Sequence, residues 1–407
     1  MQLAPLTPLY AHAGPWATAY VDTSVADEAT LSRRELTARR ISEELAEQGA
    51  DADTCRAVRQ AIDSYTFGEQ TPGRAVFATA GEVVLDPVLS SPPPGESTGL
   101  WAPLPHVAPL LELIPDEPDT LVVHVDRVGA DFELRTATGS RPEGTVEGRD
   151  WPVHRTTSSD WSERHFQLSV ENTWEENART VAAAVEDAVA RTGAELVVLV
   201  GDERERRSVN TALPDHLGAT VVETDRGGRA AGSGTERLDE WIAAERREQA
   251  RRRAAETLER FAAEKHRGDG MTGAADGVPA LIEAAREHRI ETLLLRPDGP
   301  DVHREVWAGA EPDQIALRRT DARALGEPEP FSVRADDALL RSATLTGARA
   351  VVVGGAAAWD RSPAEDLEAD NRADGGTEAD APEPVGGLGA VLRWPTDGDH
   401  PQTETGT

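Results

Sequence analysis

The sequence predicts an α/β protein with some α+β character, built as three modules, and three observations carry that reading. Apolar runs of strand length alternate with helical three-or-four spacing, as in AELVVLVGD at 194–202 and EHRIETLLLRPDG at 287–299. At 407 residues the chain exceeds one ordinary core, and two to three domains are expected. Composition also breaks twice, at a Pro- and acid-rich stretch near 115–118 and at a Gly-rich stretch from 227. The modules are therefore set at 1–116, 117–225 and 226–407.

The first module opens on WATAYVDTS, which alternates as a strand does. LSRRELTARRISEELAEQG follows with helical spacing and stops at Gly49, and DADTCRAVRQAIDSY starts a second helix at an acidic cap. TPGRAVFATAGEVVLDPVL reads as two strands around a tight Ala80-Gly81 turn, SSPPPGESTG as a loop, and LPHVAPLLELIPDEPD as the exit. In the second module TLVVHVDRVGADFELRTAT gives two strands turning at Gly129, and a long polar segment leads to a helix. The stripe of that helix is Phe166, Val170, Trp174, Ala178, Val181, Val185 and Val189, one buried face. AELVVLVGD is a buried parallel strand, and SVNTALPDHLGATVVET supplies a helix and a strand.

The third module starts at a flexible linker, GGRAAGSG, and a long charged helix with Leu238, Trp241, Ile242, Leu258 and Phe261 facing inward. Helix and strand then recur in VPALIEAAREHRIETLLL and RADDALLRSATLTGARAVVVGG, with a short strand at DQIALRRT, which argues a three-layer α/β arrangement. About 356–384 the chain is rich in Ala, Asp, Glu, Pro and Gly, the composition of a disordered insertion. GGLGAVLRWP is the last strand, and the tail beyond Trp394 is polar.

Composition excludes several function classes. One cysteine, Cys55, permits no internal disulfide and no cysteine-built metal site; a buried small hydrophobe is expected there. The N-terminus lacks the pattern of an export signal and no segment has the length and apolarity of a membrane span, so a cytoplasmic protein is expected. Against 42 Lys and Arg stand 73 Asp and Glu, a net charge of −31 that opposes indiscriminate attraction to nucleic acid. Any RNA contact must be local. Lys265 is the sole lysine, so arginine carries the positive charge and offers a planar fork that matches phosphate.

No catalytic centre is expected, and no cofactor or metal. The histidines are scattered without ligand spacing, no G-x-S-x-G elbow occurs, and GGRAAGSG is neither a dinucleotide fingerprint nor a Walker loop. One segment stands apart: GRDWPVHRTTSSDWSERHFQ at 148–167 gathers Trp151 and Trp161, His154 and His165, and Arg149, Arg155 and Arg164. Aromatic and arginine side chains stack on bases and dominate binding hot spots. The competing reading is that the tryptophans plug a core and Ser159 or Asp160 caps the helix. The run Arg251-Arg252-Arg253 is a secondary phosphate-contact candidate, weighed against a solvated helix face paired with neighbouring Glu.

In these residues and their order the chain resembles the bacterial relatives of the archaeal and eukaryotic class-one release factors and Pelota, the group containing the ribosome hibernation factor Balon. GRAVFATAGEVVLDPVL resembles the end of the family's N-terminal domain, DWSERHFQLSVENTWEENA its middle domain, and GDGMTGAADGVPALIEAAREHRIETLLL with GGLGAVLRW its C-terminal domain. The resemblance implies an RNase H-like middle domain with a loop at 148–166, and a C-terminal domain similar to the kink-turn-binding ribosomal protein fold. It also implies the ribosome as partner, through ribosomal RNA and P-site tRNA, with elongation factor Tu contacting the C-terminal domain. Where release factors carry Gly-Gly-Gln this chain has Ser159, Asp160 and Trp161, and Gly-Gly-Gln occurs nowhere in it. A factor that occupies the A site in dormancy or stress, without peptide release, is expected. The alternatives are a peptidyl-tRNA hydrolase or rescue factor using Gln167, and an acidic protein-interaction module that does not bind RNA.

Overall fold

The computed structural model describes residues 1–24, 30–65, 67, 72–114, 116–136, 139–147, 160–227, 235–267, 271–353 and 383–397. For residues 31, 160–174, 235, 271, 396 and 397 only the backbone is described. The expected insertion at 356–384 falls almost wholly outside these residues, as does the 228–234 stretch of the expected linker. The fold is mixed α/β, and contacts divide it into two compact units, 1–116 with 253–407, and 117–252.

The N-terminal part of the first unit runs α1 (Thr7–Tyr10), β1 (Trp16–Asp22), α2 (Thr30–Glu47), α3 (Ala52–Asp63), β2 (Gly73–Thr79), β3 (Glu82–Leu85), β4 (Val88–Leu89), β5 (Thr98–Ala102) and α4 (Ala108–Leu113). Its sheet is antiparallel in the order β3-β2-β1-β5, with β4 also on β2. Local chemistry sets the elements. Asp51 caps α3 by accepting from the Asp53 and Thr54 backbone amides, and Gly49, with φ of 98°, closes α2. Ala80 and Gly81, with φ of 49° and 80°, make the expected tight turn between β2 and β3. Cys55 is buried, as a small hydrophobe would be.

The second unit comprises β6 (Thr120–Val125), β7 (Gly129–Thr136), β8 (Gly139–Glu147), α5 (Asp160–Thr192), β9 (Leu196–Val200), α6 (Glu203–Ala212), β10 (Thr220–Thr224) and the first part of α7 (Thr235–Lys265). Sheet order is β10-β9-β6-β7-β8: the β6-β7-β8 meander is antiparallel, while β6, β9 and β10 run parallel. On one face Ala178, Val181, Val185 and Val189 of α5 and Val209 of α6 pack on Leu121, Val123, Val197 and Leu199. Leu238 and Ile242 of α7 cover Val122, Val198 and Val200 on the other. Gly129 is not the turn residue expected. The β6–β7 turn is held by Asp126, whose Oδ1 accepts from the Val128 and Gly129 amides at 2.8 Å. Gly129 begins β7, where a Cβ would lie 1.9 Å from the Val146 carbonyl oxygen, so glycine lets β7 and β8 approach.

The C-terminal part of the first unit continues with β11 (Met271–Asp276), α8 (Val278–Arg286), β12 (Ile290–Leu295), β13 (Glu305–Ala308), β14 (Ile315–Ala316), α9 (Arg319–Ala324), β15 (Phe331–Arg334), α10 (Ala335–Leu345), β16 (Arg349–Val352) and β17 (Leu388–Asp397). One sheet has the order β11-β17-β12-β16 and a small one β14-β13-β15. α8 and α10 pack on one face of the larger sheet, and Phe261 with half-buried Leu258 of α7 on the other. The first residues join this part: Gln2 bridges Arg349, and the Met1 carbonyl accepts from the Ala350 amide at 3.0 Å.

Candidate functional site

The segment singled out in the sequence connects β8 to α5. Arg149, Trp151, His154 and Arg155 lie outside the described residues, as does Ser159. Asp160, Trp161, Arg164 and Gln167 belong to α5, so the expected loop at 148–166 is shortened: its last seven residues are helical. The physical reason is a run, DWSERHFQ, with neither Gly nor Pro to oppose helix propagation back to Asp160.

The elements on either side of that connection are each anchored in the second unit. β8 is an exposed edge strand, and its Glu143 receives Arg141 Nε at 3.0 Å and Arg191 Nη2 at 3.1 Å, which ties it to the last turn of α5. These bonds, rather than burial, hold the Glu143 carboxyl below its ordinary range. Thr145 donates to Asp131 at 2.9 Å across the ladder. On α5, buried Asn177 donates from Nδ2 to the Arg127 carbonyl at 3.2 Å and so pins the helix to the β6–β7 turn. At about 1.5 Å per residue, Trp161 lies about 24 Å along the axis from Asn177. The helical residues of the segment, Trp161 and Arg164 among them, thus lie at the far end of a long helix from its anchored portion.

Arg251 and Arg252 are exposed and Arg253 is half-buried. Arg252 Nε meets Glu248 at 3.0 Å, four residues earlier, the paired helix face weighed against phosphate contact in the sequence. The structure does not bring this run together with Trp161 and Arg164 as one described site.

Two arrangements escaped the sequence reading. At the carboxyl ends of β6 and β9 a small cleft is lined by Arg127, Asn177, Arg204, Glu205 and Ser208, with Arg127 Nε on Glu205 at 3.2 Å. Only the positions of Asp126 and Asp202 after two apolar strands would have signalled it. The other is a buried polar network in the first unit. His106 Nδ1 lies 3.0 Å from Asp337 Oδ1, and Arg334 grips Asp336 through Nε and Nη2 at 3.0 and 2.6 Å. The Asp337 amide also donates to Asp336 Oδ1 at 2.8 Å.

His106, Asp336 and Asp337 are a set of metal-ligand type, their ligating atoms within 4.8 Å of one another. Arg334 occupies both Asp336 oxygens and His106 takes Asp337, so the set closes as an ion-pair network. Burial pushes Asp337 up to about 6, against the pull of His106. For His106 burial works downward, but the charge and hydrogen bond of Asp337 outweigh it and the imidazole is raised. Among the described residues no helix is long and apolar enough to cross a membrane.

Residues 119–267, which take in the whole β8–α5 connection, match the model of bacterial archaeo-eukaryotic release factor family 2. The Mycobacterium tuberculosis H37Rv protein named "Uncharacterized protein Rv2629" is 30% identical over 348 residues, covering 84% of this chain and 90% of the relative. The chain belongs to the bacterial archaeo-eukaryotic release factor family. Solved structures similar to this release-factor relative include ribosome-bound archaeal Pelota, at 16% identity, a TM-score of 0.36 and coverage of 96% and 94%. Others are Saccharomyces cerevisiae Dom34, at 13%, 0.36 and 80% of each chain, and the archaeal translation termination factor aRF1, at 16%, 0.22 and coverage of 96% and 97%. The family model places the β8–α5 connection within the family's own region of this release-factor relative, and Ser159-Asp160-Trp161 is part of it.

Proposed function

We propose that this protein is a translation factor that binds the ribosomal A site and acts by occupancy in dormancy or stress, without releasing peptide. One observation carries the reading: a release-factor-family chain whose segment 148–167, the β8–α5 connection with the start of α5, holds Trp151, His154, Arg155, Trp161 and Arg164 but no Gly-Gly-Gln. Two adjacent glycines give a backbone that can approach a substrate closely and adopt conformations closed to other residues. Asp160 and Trp161 give neither freedom, and both are already committed to the helix. What the connection retains is chemistry for stacking on bases and pairing with phosphates. Ribosomal RNA and P-site tRNA are the partners this suits, and elongation factor Tu is the protein partner of the C-terminal part.

The test is ribosome pelleting across a salt series, in parallel with peptide release on stop-codon ribosomes. Wild-type protein is expected to pellet with ribosomes that have a vacant A site and to release no peptide above the no-factor control. Trp161→Ala and Arg155→Ala are each expected to weaken binding about five- to hundredfold, the worth of a stacking or charged contact, with melting temperature unchanged. Codon-dependent release would return the protein to the hydrolase class through Gln167. Binding at full strength in both variants would remove the segment from the site, and a wild-type protein that never pellets would leave the acidic interaction module.

A further inference from the structure

In a chain of net charge −31 an arginine has many acids to meet, and Arg74 meets Asp86, Arg246 Glu117, Arg260 Glu291 and Arg334 Asp336. Residues 317–325, LRRTDARAL, behave differently. They hold three arginines to one aspartate, and Arg318, Arg319 and Arg323 are all exposed. Among the described residues none of the three side chains makes a hydrogen bond or lies within ion-pair distance of a carboxylate. Three unspent forks at one place in an acidic chain offer local attraction to a negative partner.

The fold orders this group. Trp307 of β13 stands opposite Ala316 of β14 and Ser332 of β15, and α9 follows β14. The Arg319 guanidinium lies over the half-buried Trp307 ring, with Cζ 5.3 Å from the ring centroid, a cation–π contact. Stacking occupies the face of the guanidinium and leaves the N–H donors in its plane for another partner. Buried Ala322 sets the inward side of α9. Arg319 and Arg323, four residues apart, then share one flank with about 5–6 Å between their Cβ atoms. Asp321, two residues from each, falls on the opposite flank, where its Oδ1 accepts from the Thr320 hydroxyl at 3.1 Å. Glu327, beyond the helix, accepts from the Ala310 and Glu329 amides at 2.9 and 3.1 Å. Glu305, two residues along β13 from Trp307, is outside ion-pair distance of all three arginines.

We infer that Arg318, Arg319 and Arg323 form a contact site for RNA backbone phosphates, with Trp307 as the residue that positions Arg319. Planar forks free of internal partners match phosphate oxygens, and one held flat on a ring loses less freedom on binding than a mobile one. A protein partner would need a free aromatic or aliphatic anchor. The site offers none: Arg319 covers Trp307, and Leu317 and Leu325, at 37% and 39% exposure, are mostly packed. The site deepens the ribosome-binding reading above and rests on it.

The experiment uses the full chain, measured against ribosomes and against a 20-nucleotide single-stranded RNA across a salt series. An Arg319→Gln/Arg323→Gln variant is expected to bind both about tenfold more weakly, with melting temperature unchanged. Its plot of log affinity against log salt should be less steep by about 1 to 1.5, the loss of two single-strand phosphate contacts. Trp307→Leu should bind about two- to fivefold more weakly with the salt slope intact, because the charges remain and only their positioning is lost. Trp307→Phe, which keeps a ring face, should restore binding; a Phe variant as weak as the Leu variant would overturn the positioning role. Wild-type affinity and slope in the double variant for both targets would overturn the site, and so would a wild-type chain that binds neither. A double variant that loses ribosomes but holds the RNA as wild type does would overturn it in favour of a carboxylate-bearing protein. Ribosomes that pellet at full strength with the double variant leave the ribosome reading standing without this site. RNA binding that depends on α9, with no ribosome binding, leaves the site standing without that reading.

Discussion

α10 in the first unit and β9 in the second are buried along their lengths by opposite chemistry. All five residues of β9, Leu196 to Val200, are apolar and buried, with β6 and β10 satisfying the backbone on either side. From Ala335 to Thr344 every residue of α10 is buried as well, yet these include Asp336, Asp337, Arg341, Ser342 and Thr344. Apolar burial is non-directional and scales with area, so β9 needs only residues of the right size. Buried charge must find a partner at a defined place. Arg341 finds the carbonyls of Gly309 and Glu311 at 2.9 and 2.8 Å, Asp336 finds Arg334, and Asp337 finds His106 from α4's approach. The difference teaches where stability depends on amount and where it depends on identity.

Asp337→Ala should show the largest effect. It leaves His106 without its counter-charge in a buried site while Arg334 keeps Asp336, and breaking such a pair costs about 3–5 kcal/mol. Replacing both partners, as His106→Leu with Asp337→Leu, should cost far less, because well-packed apolar groups need no partner. Denaturant unfolding with hydrogen exchange on α10 peptides reads both. If the double variant is as damaged as the single one, α10 is held by shape and not by charge.

The next largest effect belongs to β9. Leu199→Ala removes buried methyl groups and opens a cavity, costing about 2–5 kcal/mol, whereas Leu199→Met should cost under about 1.5 kcal/mol. That tolerance has no counterpart at position 337, where even Asp337→Asn discards the charge that holds His106. A Leu199→Met variant as unstable as Leu199→Ala would mean that β9 is as exacting as α10, and the contrast between the two regions would fail.

This contrast also marks what was legible in the sequence. β9, the Asp51 cap, the Ala80-Gly81 turn and the inward Leu238, Ile242 and Phe261 all follow from local pattern, because period, capping and turn chemistry are properties of neighbouring residues. α10 was legible as a helix. That its acids are buried was not, since the partner of Asp337 lies 231 residues earlier, at His106. Gly129 is of the same type: it sits beside a turn and carries a turn residue's local signal, while its need comes from Val146 on the next strand. For the candidate site, residue types and the family were legible in GRDWPVHRTTSSDWSERHFQ. The helix start at Asp160 was not placed, because capping signals at Ser159 and Asp160 compete with a loop reading of the same polar run.

The smallest effect, and the sharpest, is in pH. Of the groups around α10 with raised folded pKa values, the two carboxyls and the imidazole titrate in the range below neutral and just above it, while Tyr10, Tyr20 and Arg334 are raised further from already high ordinary values. Burial raises Glu112 from 4.5 to about 7, and burial raises Asp337 from 3.8 to about 6 despite His106; His106 is itself raised from 6.5, Asp337 overcoming burial. A group raised on folding binds its proton more tightly in the native state. Its contribution is therefore complete below the unfolded pKa and is lost as pH rises through the folded one. Glu112, Asp337 and His106 act in sequence, from about pH 4 to above 6.5, and all in the same direction. His303 opposes them: burial, with Arg334 nearby, depresses it below 6.5, so its contribution is lost as pH falls. Arg334 and Asp336 are the remaining charged pair at the site, bonded at 3.0 and 2.6 Å. The net expectation is that α10 is more stable at pH 5 than at pH 8, on the order of 1 kcal/mol. β9 has no titratable side chain, so its exchange, corrected for the intrinsic pH dependence, serves as the control within the same molecule. Glu112→Gln should remove the upper part of the slope in α10 peptides and leave β9 unchanged. Stability of α10 that rises from pH 5 to pH 8 would mean that His106 is neutral in the native state and that its contact with Asp337 is not an ion pair.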